Sequence, residues 1–325
     1  MTNFKVYKKT LSFSFLIFVV DLLTLLVVVG SATAGFFIAN QTTDMAILGL
    51  FIGLVIGIIL ASLIGMFVTN RFKAAQISMI AKGVADGELP EHTFKAGFAE
   101  TKGRFGRIAA FFLIDRAIKG IFRQVSHTIN RIGTAVGGDV GNSVTSAVNT
   151  AVEILIGYLC DCCLGWIMYR KDINPFKAGC EGAVIFFRHG KTLMKNVGRI
   201  FGMGFLSLAL VGGGFFGIFL AIFLNFPNMF VTLGNEILEI FKRMGETAPS
   251  FVSDPTLLTV VACAILGIVL WSIIHSVLIR PFILVGVMRN YMEAGKAHIP
   301  TEAEFGELAS KSPKFAKLQA KAQGQ

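Results

Sequence analysis

Apolar residues gather into four long runs, over 11–39, 45–69, 200–226 and 257–283. Each meets or exceeds the roughly 20 residues that a helix needs to cross about 30 Å of hydrocarbon. Two further stretches alternate at helical spacing instead. In 104–131, Phe105, Ile108, Phe112, Ile118, Ile121 and Phe122 recur with Arg107, Arg116, Lys119 and Arg123 between them. In 175–198, Phe176, Val184, Phe187 and Leu193 oppose Lys177, Arg188 and Lys191. Both patterns predict basic amphipathic helices lying on a membrane surface.

A fifth apolar stretch, 142–169, carries Glu153 and Asp161. One crossing here would invert every downstream segment. Pairing it with a crossing near 108–122 would bury Asp115, Arg116 and Lys119 at about 2.5–3.5 kcal/mol each, on the order of 8–10 kcal/mol together. The stretch is therefore expected to be a partly inserted, re-entrant helix. The fold class that follows is all-α: a polytopic membrane protein with four transmembrane helices in two hairpins, interfacial amphipathic helices and one re-entrant helix. Residues 1–309 are expected to form a single membrane domain, and 310–325 a polar tail.

Charge sets the expected orientation. Residues 1–10 carry +3, residues 70–141 eleven basic against six acidic groups, residues 170–199 seven against two, and residues 284–325 six against four. The segments 40–44 and 226–256 come out at −1 and −2. By the positive-inside rule both termini are cytoplasmic, in a plasma or inner membrane. The overall charge of +10 thus finds its partner in anionic lipid headgroups, with Arg107, Arg116, Lys119, Arg123 and Arg280 as contacts, and not in nucleic acid. The cysteines, four of them within or beside basic segments, are expected to be reduced.

Small residues recur at every fourth position of the second run: Gly49, Gly53, Gly57, Ala61 and Gly65. Such a ladder lets two helix backbones touch, within one subunit or between copies in a homo-oligomer. Ionisable groups inside the runs are Asp21, His275 and Arg280, and intramembrane charge marks a functional site or a buried pair. Asp21 is expected to meet His275 or Arg280. Trp271 stands one turn from His275 and could line a polar passage with it. The segment 158–169 brings Tyr158, Trp166 and Tyr169 together with three thiols and Asp161. Aromatic faces beside a carboxylate suit a quaternary ammonium group. A Cys-x-Cys-Cys run without a nearby histidine lacks a tetrahedral metal set, so no metal is expected. No cofactor motif or catalytic constellation is present either, and an enzyme is not expected.

The segments Gly141-Asn142-Ser143, Cys160-Asp161-Cys162-Cys163-Leu164 and Lys195-Asn196-Val197-Gly198-Arg199-Ile200, followed by a last span and Arg289-Asn290-Tyr291-Met292-Glu293, stand in an order that resembles the C-terminal half of the choline transporter-like family. The likeness covers roughly 140–295 in order and spacing, without the Asn-Ala-Tyr run that follows the cysteines in that family. It implies an organic-cation carrier without a catalytic cofactor. The functional expectation is therefore a transporter or permease for a small organic cation or other small solute, its path formed by Asp21, Asp161, Trp166, Trp271 and His275. The alternative is a non-transporting scaffold, assembly or bilayer-shaping subunit.

Finally, residues 89–108 and 299–318 echo each other, each with a proline (Pro90, Pro300) followed fifteen residues later by a phenylalanine (Phe105, Phe315). The echo suggests two hairpins of one design.

Overall fold

The computed structural model describes residues 1–42, 46–104, 116–121, 123–124, 141–194, 197–243, 245 and 247–324. All regular structure among them is helical. Four helices, Asn3–Gln41, Leu48–Ala85, Gly198–Phe223 and Pro255–Ala297, are long and apolar enough to cross a membrane. The chain is an integral, multi-pass membrane protein. It divides into two compact units, 1–200 with 280–325 and 201–279, where the charge and hydropathy pattern predicts one membrane domain.

In the first unit, α1 (Asn3–Thr42) runs beside α2 (Ala46–Ile64). A π-helical turn, Gly65–Thr69, joins α2 to α3 (Asn70–Ala85). At 1.5 Å per residue the 40 residues of α1 extend about 60 Å, roughly twice the hydrocarbon thickness. The two helices divide into a lipid-compatible part and a protein-covered part. Leu22, Leu26, Phe51, Val55 and Ile59 are exposed along the apolar runs, a surface suited to lipid or to another apolar face rather than to water. Val6, Thr10, Phe13, Ser14 and Ile17 of α1, by contrast, are buried, as is most of α3. Phe13 packs with Ala75 and Met79, and with Phe94 and Phe98 of α4 (Thr93–Arg104). Gln76 donates to Ser14 Oγ at 2.8 Å, pinning α3 to α1.

The glycine ladder resolves into two parts. A Cβ at Gly49 would collide with Gly35 O, one at Gly53 with Ser31 O, and one at Gly57 would stand 2.9 Å from Val28 Cα. These three glycines bring α2 against α1 of the same chain. Gly65 has nothing within 4 Å of its would-be Cβ, because the π turn carries it off that face.

α5 (Gly141–Tyr169), α6 (Pro175–Met194) and α11 (Arg280–Ala297) complete the core of this unit. Expected as re-entrant, α5 buries Cys162, Cys163, Trp166, Ile167 and Met168 against protein. Its apolar character is satisfied by α3, α6 and α11. The apolar face of α6 meets protein in the same way, through Cys180, Ala183 and Val184, with Ala178 also buried. The amphipathic segment 104–131 falls mostly outside the described residues, Arg107 included. Its described helical residues bury Ile118 and Ile121 and leave Arg116, Lys119 and Arg123 exposed.

The polar tail expected over 310–325 is instead a docked helix. A capping box between Thr301 and Glu304 opens α12 (Glu302–Lys311), and Ser312 with Pro313 opens α13 (Pro313–Ala322). Phe315 and Leu318 then bury beside Ile121, Cys180, Val184, Phe305 and Leu308. Two apolar residues at helical spacing suffice to seat a short helix on a larger core, although the segment is polar on average.

The second unit contains the rest of α7 (Val197–Ser207), a π turn (Leu208–Gly212), α8 (Gly213–Phe223), α9 (Pro227–Arg243), α10 (Pro255–Ile274) and a π turn over His275–Ile279. Asp254 caps α10 by accepting from Thr256 N at 2.8 Å, with Pro255 in its first turn. A Cβ on Gly267 would lie 3.0 Å from Gly212 O, so this hairpin also closes on small residues. The segment 226–256 is not only a loop. α9 is strongly amphipathic and buries Phe230, whose ring lies 5.3 Å from that of Phe223.

The echo between the chain's two ends has a structural counterpart. Gly65–Thr69 and His275–Ile279 are both π turns, and each is followed by a helix, its proline and a further short helix. The same sequence interval separates Gly65 from His275 and Pro90 from Pro300.

Candidate functional site

Where α1, α3, α5 and α11 meet, in the first unit, charged groups collect. Arg280, the first residue after the π turn, donates from Nη2 to Asp161 Oδ2 at 2.6 Å and to Gly157 O at 3.5 Å. Its guanidinium carbon lies 5.5 Å from the Tyr158 ring centroid. Lys73, four residues past the other π turn, is electrostatically coupled to Arg280, Asp161, Asp21 and Lys119. Asp21 in turn meets the Thr69 hydroxyl and the Lys73 charge. Each of the two helices, α3 and α11, thus carries a cation within four residues after a π turn, facing a carboxylate on a neighbouring helix. Arg280 does not reach out alone to a headgroup, and Asp21 faces Lys73 where His275 or Arg280 is expected.

Tyr158 is 3% exposed, and its hydroxyl has no hydrogen-bond partner among the described residues. Burial, more than the opposing influence of Arg280, pushes this phenol up to about 12. It is a neutral donor at any physiological pH. Leaving such a donor unpaired costs about 1–3 kcal/mol.

A second cluster surrounds Trp166, which is 1% exposed. Its indole N–H donates to Glu181 Oε2 at 2.9 Å, and Arg170 Nη1 donates to the same oxygen at 2.9 Å. Arg170 also reaches Asp172 at 2.8 Å and lies over the Trp166 ring at 5.7 Å. Burial pushes the Glu181 carboxyl up, and the Trp166 N–H and Arg170 hold that rise in check. Tyr169 donates to Asp86 at 3.0 Å and lies under Lys296, 5.3 Å from its ring centroid. The three aromatic rings that could receive an organic cation therefore each hold a cation of the chain.

Of the five residues expected to form one path, Asp21 and Asp161 meet in the first cluster and Trp166 lies in the second. Trp271 and His275 belong to the other unit. There the Trp271 N–H donates to Ser207 Oγ at 3.1 Å, and the two rings stand 5.2 Å apart. Among the proposed headgroup contacts, Arg123 makes a bidentate pair with Glu153. Lys73 has no hydropathy signal, because the apolar run ends at Thr69 while the helix does not; Thr69 is legible only as the end of that run, and Tyr158 only as one of the aromatics of 158–169. The periodic Phe72, Ala75 and Met79 are the signal that α3 continues.

Glu100 holds the junction of α3 and α4 together. It accepts from Ser78 at 2.8 Å and pairs with Lys82 at 3.1 Å and Lys171 at 2.9 Å. Burial alone would raise its pKa, but these three partners override burial and depress it. A carboxyl depressed on folding contributes stability above the ordinary carboxylate value and loses it as pH falls through the folded value. Melting temperatures of the native chain and Glu100→Gln should differ at neutral pH and converge on acidification. A difference independent of pH would show that the charge of Glu100 plays no part.

Among the described residues no group of three or more His, Cys, Asp or Glu side chains is placed to hold a metal ion, and the five cysteines form no disulfide with one another. No family model, curated protein or solved structure matches the chain.

Proposed function

We propose that this chain is a non-transporting, non-enzymatic membrane component, a scaffold or assembly subunit that presents the helical body of its first unit at the cytoplasmic face. One observation carries this reading. The carboxylate and aromatic faces that an organic-cation carrier would offer its cargo are filled by Arg280, Arg170 and Lys296. A cargo would have to displace a tethered guanidinium at Asp161, against a charge-assisted hydrogen bond worth about 1.5–3 kcal/mol. Arg116 and Lys119, exposed beside the body, suit anionic headgroups, and the excess of basic residues in 1–10, 70–141, 170–199 and 284–325 supports the cytoplasmic placement of both termini.

Carrier activity of the choline transporter-like kind is the second reading. Asp21 and Lys73 favour it, as charged groups within two helices long and apolar enough to cross a membrane. Uptake of labelled tetramethylammonium and choline into proteoliposomes separates the two. The scaffold reading expects no uptake above protein-free vesicles. Saturable uptake that Asp161→Asn abolishes would overturn it.

A further inference from the structure

We propose that α9 (Pro227–Arg243) is an interfacial helix that lays Met229, Leu233 and Val231 among lipid acyl chains at the membrane surface, without preference for lipid charge. The helix lies wholly within the second unit, and the proposal is independent of whether the chain carries a solute.

The distribution of side chains around α9 is the first argument. At about 100° per residue, Met229, Leu233, Phe230, Phe241 and Val231 follow one another around one side, and Asn235, Glu239, Thr232 and Glu236 fill the other. Only the middle of the apolar side meets protein. Phe230 is buried, and a Cβ on Gly234 would stand 3.0 Å from Val252 O and 3.5 Å from Leu258 Cδ2. Met229 and Leu233, on one flank of that stripe, are 47% and 39% exposed, and Val231, on the other, is 41% exposed. Apolar side chains in that state call for a cover other than water. A fluid lipid surface covers both flanks at once, where a second copy of the chain, docking as a rigid body, would meet one.

Position is the second argument. Three residues separate α9 from the end of α8 at Phe223, so its first turn lies within about 14 Å of a helix long and apolar enough to cross the membrane. Ile218, Ile222 and Phe226, spaced by four and all exposed, carry the apolar surface of that span to the start of α9. Gly234 is held beside the short turn Ser250–Val252 that precedes α10, whose start is capped by the exposed carboxylate of Asp254. The helix is thus fixed at the level where the spans meet water, the depth at which an amphipathic helix lies in a bilayer. Charge on its polar side cancels, with Glu236 and Glu239 against Lys242 and Arg243, and Arg243 lies 3.6 Å from Glu239. Insertion therefore rests on apolar area and not on anionic headgroups.

The test uses the full chain reconstituted in phosphatidylcholine vesicles, carrying Met229→Cys, Leu233→Cys or Asn235→Cys singly and labelled with an environment-sensitive fluorophore. The native chain, whose five cysteines are buried, gives the background. Labels at Met229→Cys and Leu233→Cys should emit further to the blue than the label at Asn235→Cys. They should lose intensity when the phosphatidylcholine is brominated along its acyl chains, whereas aqueous iodide should quench the Asn235→Cys label alone. The same pattern should hold when part of the lipid is phosphatidylglycerol. All three side chains are exposed, so each variant should keep the native melting temperature, which separates the result from a loss of fold. Equal iodide quenching at the three positions would put α9 in water and overturn the proposal. Labels shielded from iodide yet untouched by brominated lipid would place a second copy of the chain over this face and overturn it as well. A pattern that appears only with phosphatidylglycerol would assign the contact to Lys242 and Arg243, against insertion by apolar area.

Discussion

Trp166→Ala should lower the unfolding free energy of the purified protein by about 3–5 kcal/mol, the range for truncating a buried tryptophan. The indole fills a slot that only glycine leaves open, since a Cβ on Gly295 would stand 2.5 Å from its ring. Its removal also strips Glu181 of one of its two donors, in a position where that carboxylate is 2% exposed. Trp166→Phe should fall between the two, keeping most of the apolar contact and losing the N–H. Denaturant titration followed by circular dichroism checks both. A loss below about 1 kcal/mol for the alanine variant would mean the ring is peripheral to the fold.

Gly53→Leu should lower stability by about 1–3 kcal/mol or more, because the added side chain meets backbone that no rotamer can avoid. The obstacle is Ser31 O and, beside it, Ala32 Cα. Gly30→Leu and Gly65→Ala, with open space at the same atom, should be mild. Unfolding in mixed micelles gives the comparison. Equal effects at Gly53 and Gly30 would show that α1 and α2 do not touch along this face. The contrast also separates Gly65 from the ladder to which its spacing assigns it.

The four spans are legible in the sequence because transfer into hydrocarbon depends on composition, which a linear window reports. What covers an apolar stripe is a different matter. Val184 and Cys180 on α6, or Trp166 and Ile167 on α5, would look the same against lipid as against protein, and a stripe carries no label for its partner. The demand that Asp21 find a cation is sound, but the cation is Lys73, beyond the end of the apolar run. Hydropathy ends there and the helix continues. Asp161 and Arg280 lie 119 residues apart, and only tertiary packing pairs them. The docking of α13 was legible in part, since Ser312-Pro313 is a helix start and Phe315 and Leu318 share a face, yet the charge of the segment outweighs them in any average.

The π turn at Gly65–Thr69 gives the chain a form of bookkeeping in residue number. An i→i+5 turn holds one residue more than an i→i+4 turn, and each residue of an α-helix advances the face by about 100°. Deleting one residue within 65–69 would let the helix run on as α while the faces on both sides of the turn keep their directions, so Ala74, Ile77 and Ala81 would stay in the core and Lys73 beside Asp21. A residue added there would have no second wide turn to absorb it and would swing all of α3 by that angle. Related chains should therefore lose a residue at this turn more readily than they gain one.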